Sequence, residues 1–260
     1  MNDDIENYLT HLAAQGWWEQ LKINAQSVID QHPEIATGWV FMGLVKITQE
    51  RFDEALIDLK KACYLAPENS MAIINLIHCL IKQQQPLQAF TYGAKAIERF
   101  DLQKKEIPSN LLWSVSVAAK RSGALDDALK FLLRLSHDDP LNQPALKMLG
   151  QIYYQKRQYE NALIYYQKLH TLKPDHIGHL GNLGTIYMQL WQLDQANLIF
   201  ERVLSIDPHH ITTINSMAAL RTKQGRFEEA LGFINHAEKL ASQNLQTTSG
   251  IPQHNRALIL

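Results

Sequence analysis

The sequence predicts an all-α solenoid, a right-handed superhelical stack of about seven helix-turn-helix units. Three observations carry this. A pattern recurs every 34 residues, each copy holds two apolar-periodic segments about a polar turn, and small residues and prolines keep fixed offsets within the copies.

The two clearest copies are LKMLGQIYYQKRQYENALIYYQKLHTLKPD (146–175) and LGNLGTIYMQLWQLDQANLIFERVLSIDPH (180–209). Superposed, Leu149-Gly150 falls on Leu183-Gly184, Tyr153 on Tyr187, Ala162 on Ala196, Tyr166 on Phe200 and Pro174 on Pro208. Stepping by this period places copies near residues 2, 36, 70, 109, 143, 177 and 211. The first is worn and keeps Gly16, Trp18, Ala25 and Pro33. The second has Trp39, Gly43, Ala55, Ala62 and Pro67. The third has Ala89 and Ala96, with Pro86 at its turn and Asp101 where the other copies favour proline. An insertion at 104–108 follows, then the fourth copy with Ala128, Leu132 and Pro140. The seventh keeps Met217-Ala218, Ala230 and Ala237 about a Gly225-Arg226-Phe227 turn. A mid-helix glycine costs about 1 kcal/mol against alanine. Gly43, Gly150 and Gly184 therefore imply close helix approach, with Ala55, Ala162 and Ala196 as the partner surface. The prolines stop second helices.

These positions resemble the tetratricopeptide repeat over residues 2 to 244. One repeat domain over 1–244 and a tail or cap over 245–260 are expected. In that family, the resemblance implies, the first helix of each pair lines a concave groove and the second lies outside. Inward slots would then hold Phe41, Leu44, Ile74 and Trp113 in the early copies, and Lys147, Gln151, Asn182 and Asn215 in the later ones. One half of the groove would be apolar, an anchor for a partner segment, and the other polar.

Net charge is −1, so nothing pulls the chain as a whole toward nucleic acid. Its distribution is uneven. The first fourteen residues of the last six copies contain no Asp or Glu, where an even scatter of 26 acidic residues would put about eight. The same windows hold Lys46, Lys82, Lys120, Arg121, Lys147, Lys156, Arg221 and Lys223. A positive inner face that receives an acidic or carboxylate-terminated segment is the expectation. Helix-end bases also answer the helix dipole, a plainer account of several of them.

Two groove devices known in the family match incompletely. A carboxylate clamp of Lys, Asn, Asn, Lys and Arg would fall on Lys147, Gln151, Asn182, Thr212 and Ser216, so both later bases are missing. An asparagine ladder would use Asn75 and Asn182, with other residues in the remaining copies. His176, His179, His209 and His210 cluster near Asp175 and Asp207, yet turn histidines are more often solvated than metal-bound, and neither metal nor cofactor is expected. No phosphate loop, nucleophile elbow or catalytic carboxylate pair stands out, so catalysis is not expected. Two cysteines, no long apolar run and an acidic start favour a cytoplasmic chain without membrane insertion.

The resulting reading is a protein-protein adaptor or scaffold. Its rivals are a targeting subunit of a multi-component enzyme, such as a sugar or sulfate transferase, and a homo-oligomeric scaffold assembled through the groove. In the tail, the apolar run Arg256 to Leu260 would cap the last copy or dock in a groove.

Overall fold

A computed structural model describes residues 2–247, with side chains described from 4 to 243. The expected tail docking of 256–260 lies outside these residues. The described chain is fourteen α-helices. First helices are α1 (Asn2–Ala14), α3 (Ala36–Thr48), α5 (Ser70–Lys82), α7 (Ser109–Ser122), α9 (Gln143–Gln155), α11 (Ile177–Gln189) and α13 (Ile211–Lys223). Second helices are α2 (Trp18–Gln31), α4 (Phe52–Leu65), α6 (Pro86–Leu102), α8 (Leu125–Asp138), α10 (Tyr159–Leu172), α12 (Leu193–Ile206) and α14 (Phe227–Thr247). They fall into two compact units, Met1–Ala145 and Leu146–Leu260, whose boundary lies within α9.

Each turn inside a pair is closed the same way. Gly16, Glu50, Gln84, Gly123, Arg157, Trp191 and Gly225 all adopt positive φ, between 58° and 85°. The amide after each bonds back to a carbonyl five residues earlier, as Arg51 does to Lys46 and Gln158 to Tyr153. This satisfies carbonyls that the helix end leaves unpaired. Four of the seven positions are not glycine, so the turn holds them against an intrinsic left-handed cost of about 1–2 kcal/mol.

The mid-helix glycines make room for a ring or branched side chain rather than for alanine. A Cβ on Gly150 would lie 2.6 Å from the Tyr166 ring, and one on Gly184 would lie 2.5 Å from Phe200. Gly43 meets Leu59 in the same way, at 2.7 Å. Ala55, Ala162 and Ala196 are fully buried, but the residue four places after each fills the space over the glycine.

The insertion begins as an extension of α6, which runs 17 residues and ends in the same capping bonds at Lys104 and Lys105. Ile107 then buries, while Lys105 pairs with Glu68 in the α4–α5 connection. Asp101, at the proline slot, holds Arg134 of α8 at 2.7 Å. The insertion is therefore fastened along the loop edge of the first unit.

Like helices meet on one side only. In the first unit α1 touches α3, α3 touches α5, and α5 touches α7; in the second, α11 touches α13. Among the described residues no second helix makes a comparable contact with the next. Each unit therefore bunches its first helices and splays its second helices, which puts the first helices on its inner face.

Candidate functional site

On the inner face of the second unit, α9 and α11 enclose a pocket of about 280 Å³ lined by Gln151, Tyr154, Tyr166, Asn182, Thr185 and Ile186. Its construction follows from the glycines. Because Gly150 has no side chain, the Tyr166 ring reaches under α9, where it is 2% exposed and forms part of the lining. Burial pushes its phenol up to about 12, so it stays neutral. Asn182 is exposed and spends one amide N–H on the Gly178 carbonyl at 2.8 Å. Thr185 donates its hydroxyl to the Gly181 carbonyl at 2.8 Å. Both bonds hold the side chains along α11 and leave their oxygens as acceptors. Lys147 lies one helical turn before Gln151 on the same face of α9 and is exposed.

At the start of α11, His176 and His179 stack with ring centroids 3.8 Å apart. The His176 Nδ1 accepts the His179 backbone N–H at 3.2 Å, capping the helix. Burial, then His176, Lys147 and Lys173, hold His179 below the usual imidazole range. Lys147 thus sits on the pocket helix α9 and acts on this stack. Among the described residues no three metal-ligating side chains converge.

The first unit differs from the sequence reading in two respects. Phe41 is only 1% exposed, inside a cluster with Leu9, Leu12, Leu21 and Ala25, and cannot anchor a ligand. Leu9 and Leu12 of α1 and Leu21 of α2 cover the slot. Leu44 packs against the same cluster, and Ile74, Asn75, Trp113 and Lys120 are half-buried. Of the expected apolar stripe Phe41 is therefore core, while Leu44, Ile74 and Trp113 keep part of their surface exposed.

The charge reading also changes. Lys46 sits 2.7 Å from Asp58 of α4, whose side chain is 6% exposed. The two form a largely buried ion pair, and burial holds the Asp58 carboxyl above its usual range despite Lys46. Arg221 is likewise buried beside Glu229 of α14, at 3.2 Å, and Lys223 lies over the Trp191 ring at 4.5 Å. These three bases serve contacts within their own unit. Arg121 and Lys82, both exposed, act together on His78, so positive charge from α5 and α7 converges there. Asn215 is exposed on α13 but does not line the pocket.

Two features were missed from sequence. A cleft of about 800 Å³ lies among α2, α3 and α4, lined by Ile23, Asp30, Trp39, Lys46, Glu54 and Asp58 among others. Exposed apolar residues also recur on second helices, at Ile23 and Ile57 in the first unit and Ile164 and Leu198 in the second. The 34-residue spacing of each pair was the available signal.

Known proteins bear on this arrangement. Tetratricopeptide-repeat family models match residues 36–69, 143–176 and 180–210. The chain carries tetratricopeptide repeats. The first match begins where α3 begins and the second where α9 begins. No curated protein matches this tetratricopeptide-repeat chain. Among solved structures it resembles YrrB, described as a TPR protein with an unusual peptide-binding site. The TM-score is 0.65 at 16% identity, over 74% of this chain and 97% of that one. It also resembles pilF of Pseudomonas aeruginosa, with TM-score 0.65 and 14% identity over 84% and 97% of the two chains. Against a chain of the APC/C hetero-tetramer Cut9-Hcn1 the values are 0.55 and 18%, over 93% and 48%. At these identities the likeness shows the fold alone, an all-α tetratricopeptide solenoid. No helix among the described residues is long and apolar enough to cross a membrane.

Proposed function

We propose that this protein is a cytoplasmic adaptor that holds an extended segment of a partner protein against its inner helices, and that it works by recognition rather than catalysis. The observation that carries the reading is the pocket between α9 and α11, where Gln151, Tyr154, Asn182 and Thr185 meet over a Tyr166 floor. Hydroxyl and amide oxygens at that spacing accept from a peptide backbone, and the aromatic floor takes an adjoining side chain. Lys147 on the rim favours an acidic residue or a chain-terminal carboxylate next to the segment, adding selectivity and on-rate more than affinity. In the first unit, the Lys82 and Arg121 charge offers a second place for acidic side chains. The likeness to a solved repeat protein described by its peptide-binding site supports the same use of the fold.

The test is an array of random nonapeptides, acidic and charge-neutral, probed with the full chain. Acidic peptides should bind preferentially at low salt. Asn182→Ala should weaken the best of them at least about tenfold, and Lys147→Glu should erase the acidic preference. Unchanged binding in both variants would remove the pocket from the account.

A further inference from the structure

The start of α11 is built unlike its counterpart one repeat later. At α13, His210 Nδ1 contacts the Thr213 hydroxyl at 2.8 Å. At α11 the residue corresponding to Thr213 is His179, and two imidazoles stack face to face at 3.8 Å. We propose that the His176–His179 stack is a proton-sensitive clasp that keeps the first turn of α11, and with it Asn182, in binding geometry. This regulation rests on the pocket reading above.

Three features make the stack intolerant of added protons. The His176 Nδ1 caps the helix by accepting the His179 amide, which it does only while that nitrogen carries no proton. The His179 ring is 6% exposed and makes its hydrogen bond to the Leu169 backbone, while its Nδ1 is buried with no partner among the described residues. A proton arriving on that Nδ1 would find no acceptor. Nor, among the described residues, does a neighbouring anion compensate. The charges acting on His179 are Lys147 from α9, Lys173 from the connection after α10, and His176 itself. The carboxylate next in the chain, Asp175, is held by Arg202 of α12 at 2.7 Å. Histidine is the side chain whose charge ordinarily changes between about pH 5 and 8, and burial holds His179 below its usual value, so it is acidification that disturbs the stack.

The consequence reaches the pocket through the backbone. Asn182 is oriented by the Gly178 carbonyl, and Gly178 lies between the two histidines. When the cap opens, that carbonyl loses its fixed position and Asn182 its orientation. Acidification then releases the partner segment, and neutral pH restores the site.

Amide hydrogen exchange on the full chain tests this without any ligand, so the clasp and the pocket reading can fail separately. Protection factors are compared at pH 7.5 and 5.5 for the first turns of α11 and α13. In the wild type, the His179 and Leu180 amides should lose at least about tenfold more protection on acidification than Thr213 and Ile214. His176→Asn, which keeps a capping acceptor that does not titrate, should bring the two helices into line, and His179→Thr should do the same. Equal loss at both helices in the wild type would overturn the proposal, as would an undiminished difference in the His176→Asn chain. If either variant fails to fold, the wild-type imidazole resonances decide. His179 titrating with the exposed histidines overturns the clasp, and titration at lower pH, with the α11 amides following, supports it.

Discussion

Replacing Gly150 with alanine tests the packing that builds the pocket. In an ordinary helix the change stabilises by about 1 kcal/mol, because alanine is the better helix former and restricts the unfolded chain. Here the new methyl would lie 2.6 Å and 2.8 Å from two carbons of the Tyr166 ring, which is 2% exposed. The ring must retreat by about 1 Å into a filled interior, a strain of about 1–3 kcal/mol that matches or exceeds the propensity gain. The balance is a net loss of up to about 2 kcal/mol, read as a lower urea midpoint at unchanged m-value. Gly181→Ala is the matched control, since nothing lies within 4 Å of its new methyl on α11. That variant should gain up to about 1 kcal/mol. Should Gly150→Ala stabilise as much as Gly181→Ala, the argument that glycine is there to admit the Tyr166 ring is wrong.

Other outcomes follow from the same structure. Lys46→Met alone strands the buried Asp58 carboxylate and should cost up to about 3 kcal/mol in urea unfolding. Adding Asp58→Leu should restore most of that loss, and a double variant no better than the single would contradict the pairing. Arg157→Gly relieves a φ of 58° and should stabilise by up to about 1 kcal/mol, with a lower melting temperature counting against it. His78 and His179 are both held below the usual imidazole value of 6.5, so the fold favours their neutral forms. Their contribution is complete above that value and is lost as pH falls from it through their lower folded-state values, so thermal stability should decline between pH 7 and 5.5. A flat profile over that range would contradict the assignment.

The fold class was legible because the period is enforced chemically. A glycine on each of three first helices faces a large side chain on the second, and a left-handed turn closes every pair. Glu50, Gln84, Arg157 and Trp191 show why composition alone could not mark those turns: the backbone imposes the conformation on residues that do not favour it. The pocket was partly legible, since Gln151 and Asn182 were singled out by slot and both line it. Slot position could not reveal how far a neighbour covers each residue. Phe41 and Asn182 occupy the same slot, yet Phe41 is buried among Leu9, Leu12 and Leu21 of the preceding pair while Asn182 is exposed. Lys46 and Arg221 were misread for a related reason. Sorting charge by first helix alone hid their partners, Asp58 and Glu229, on the second helices.

The central claim is that a partner segment lies on the first helices of the second unit. Nitrogen-labelled full-length protein, titrated with the tightest peptide from the array, tests it residue by residue. The largest amide shifts should fall at Gln151, Asn182 and Thr185. Shifts concentrated instead around Ile164 and Leu198, on the second helices, would place the ligand on the opposite face and contradict it.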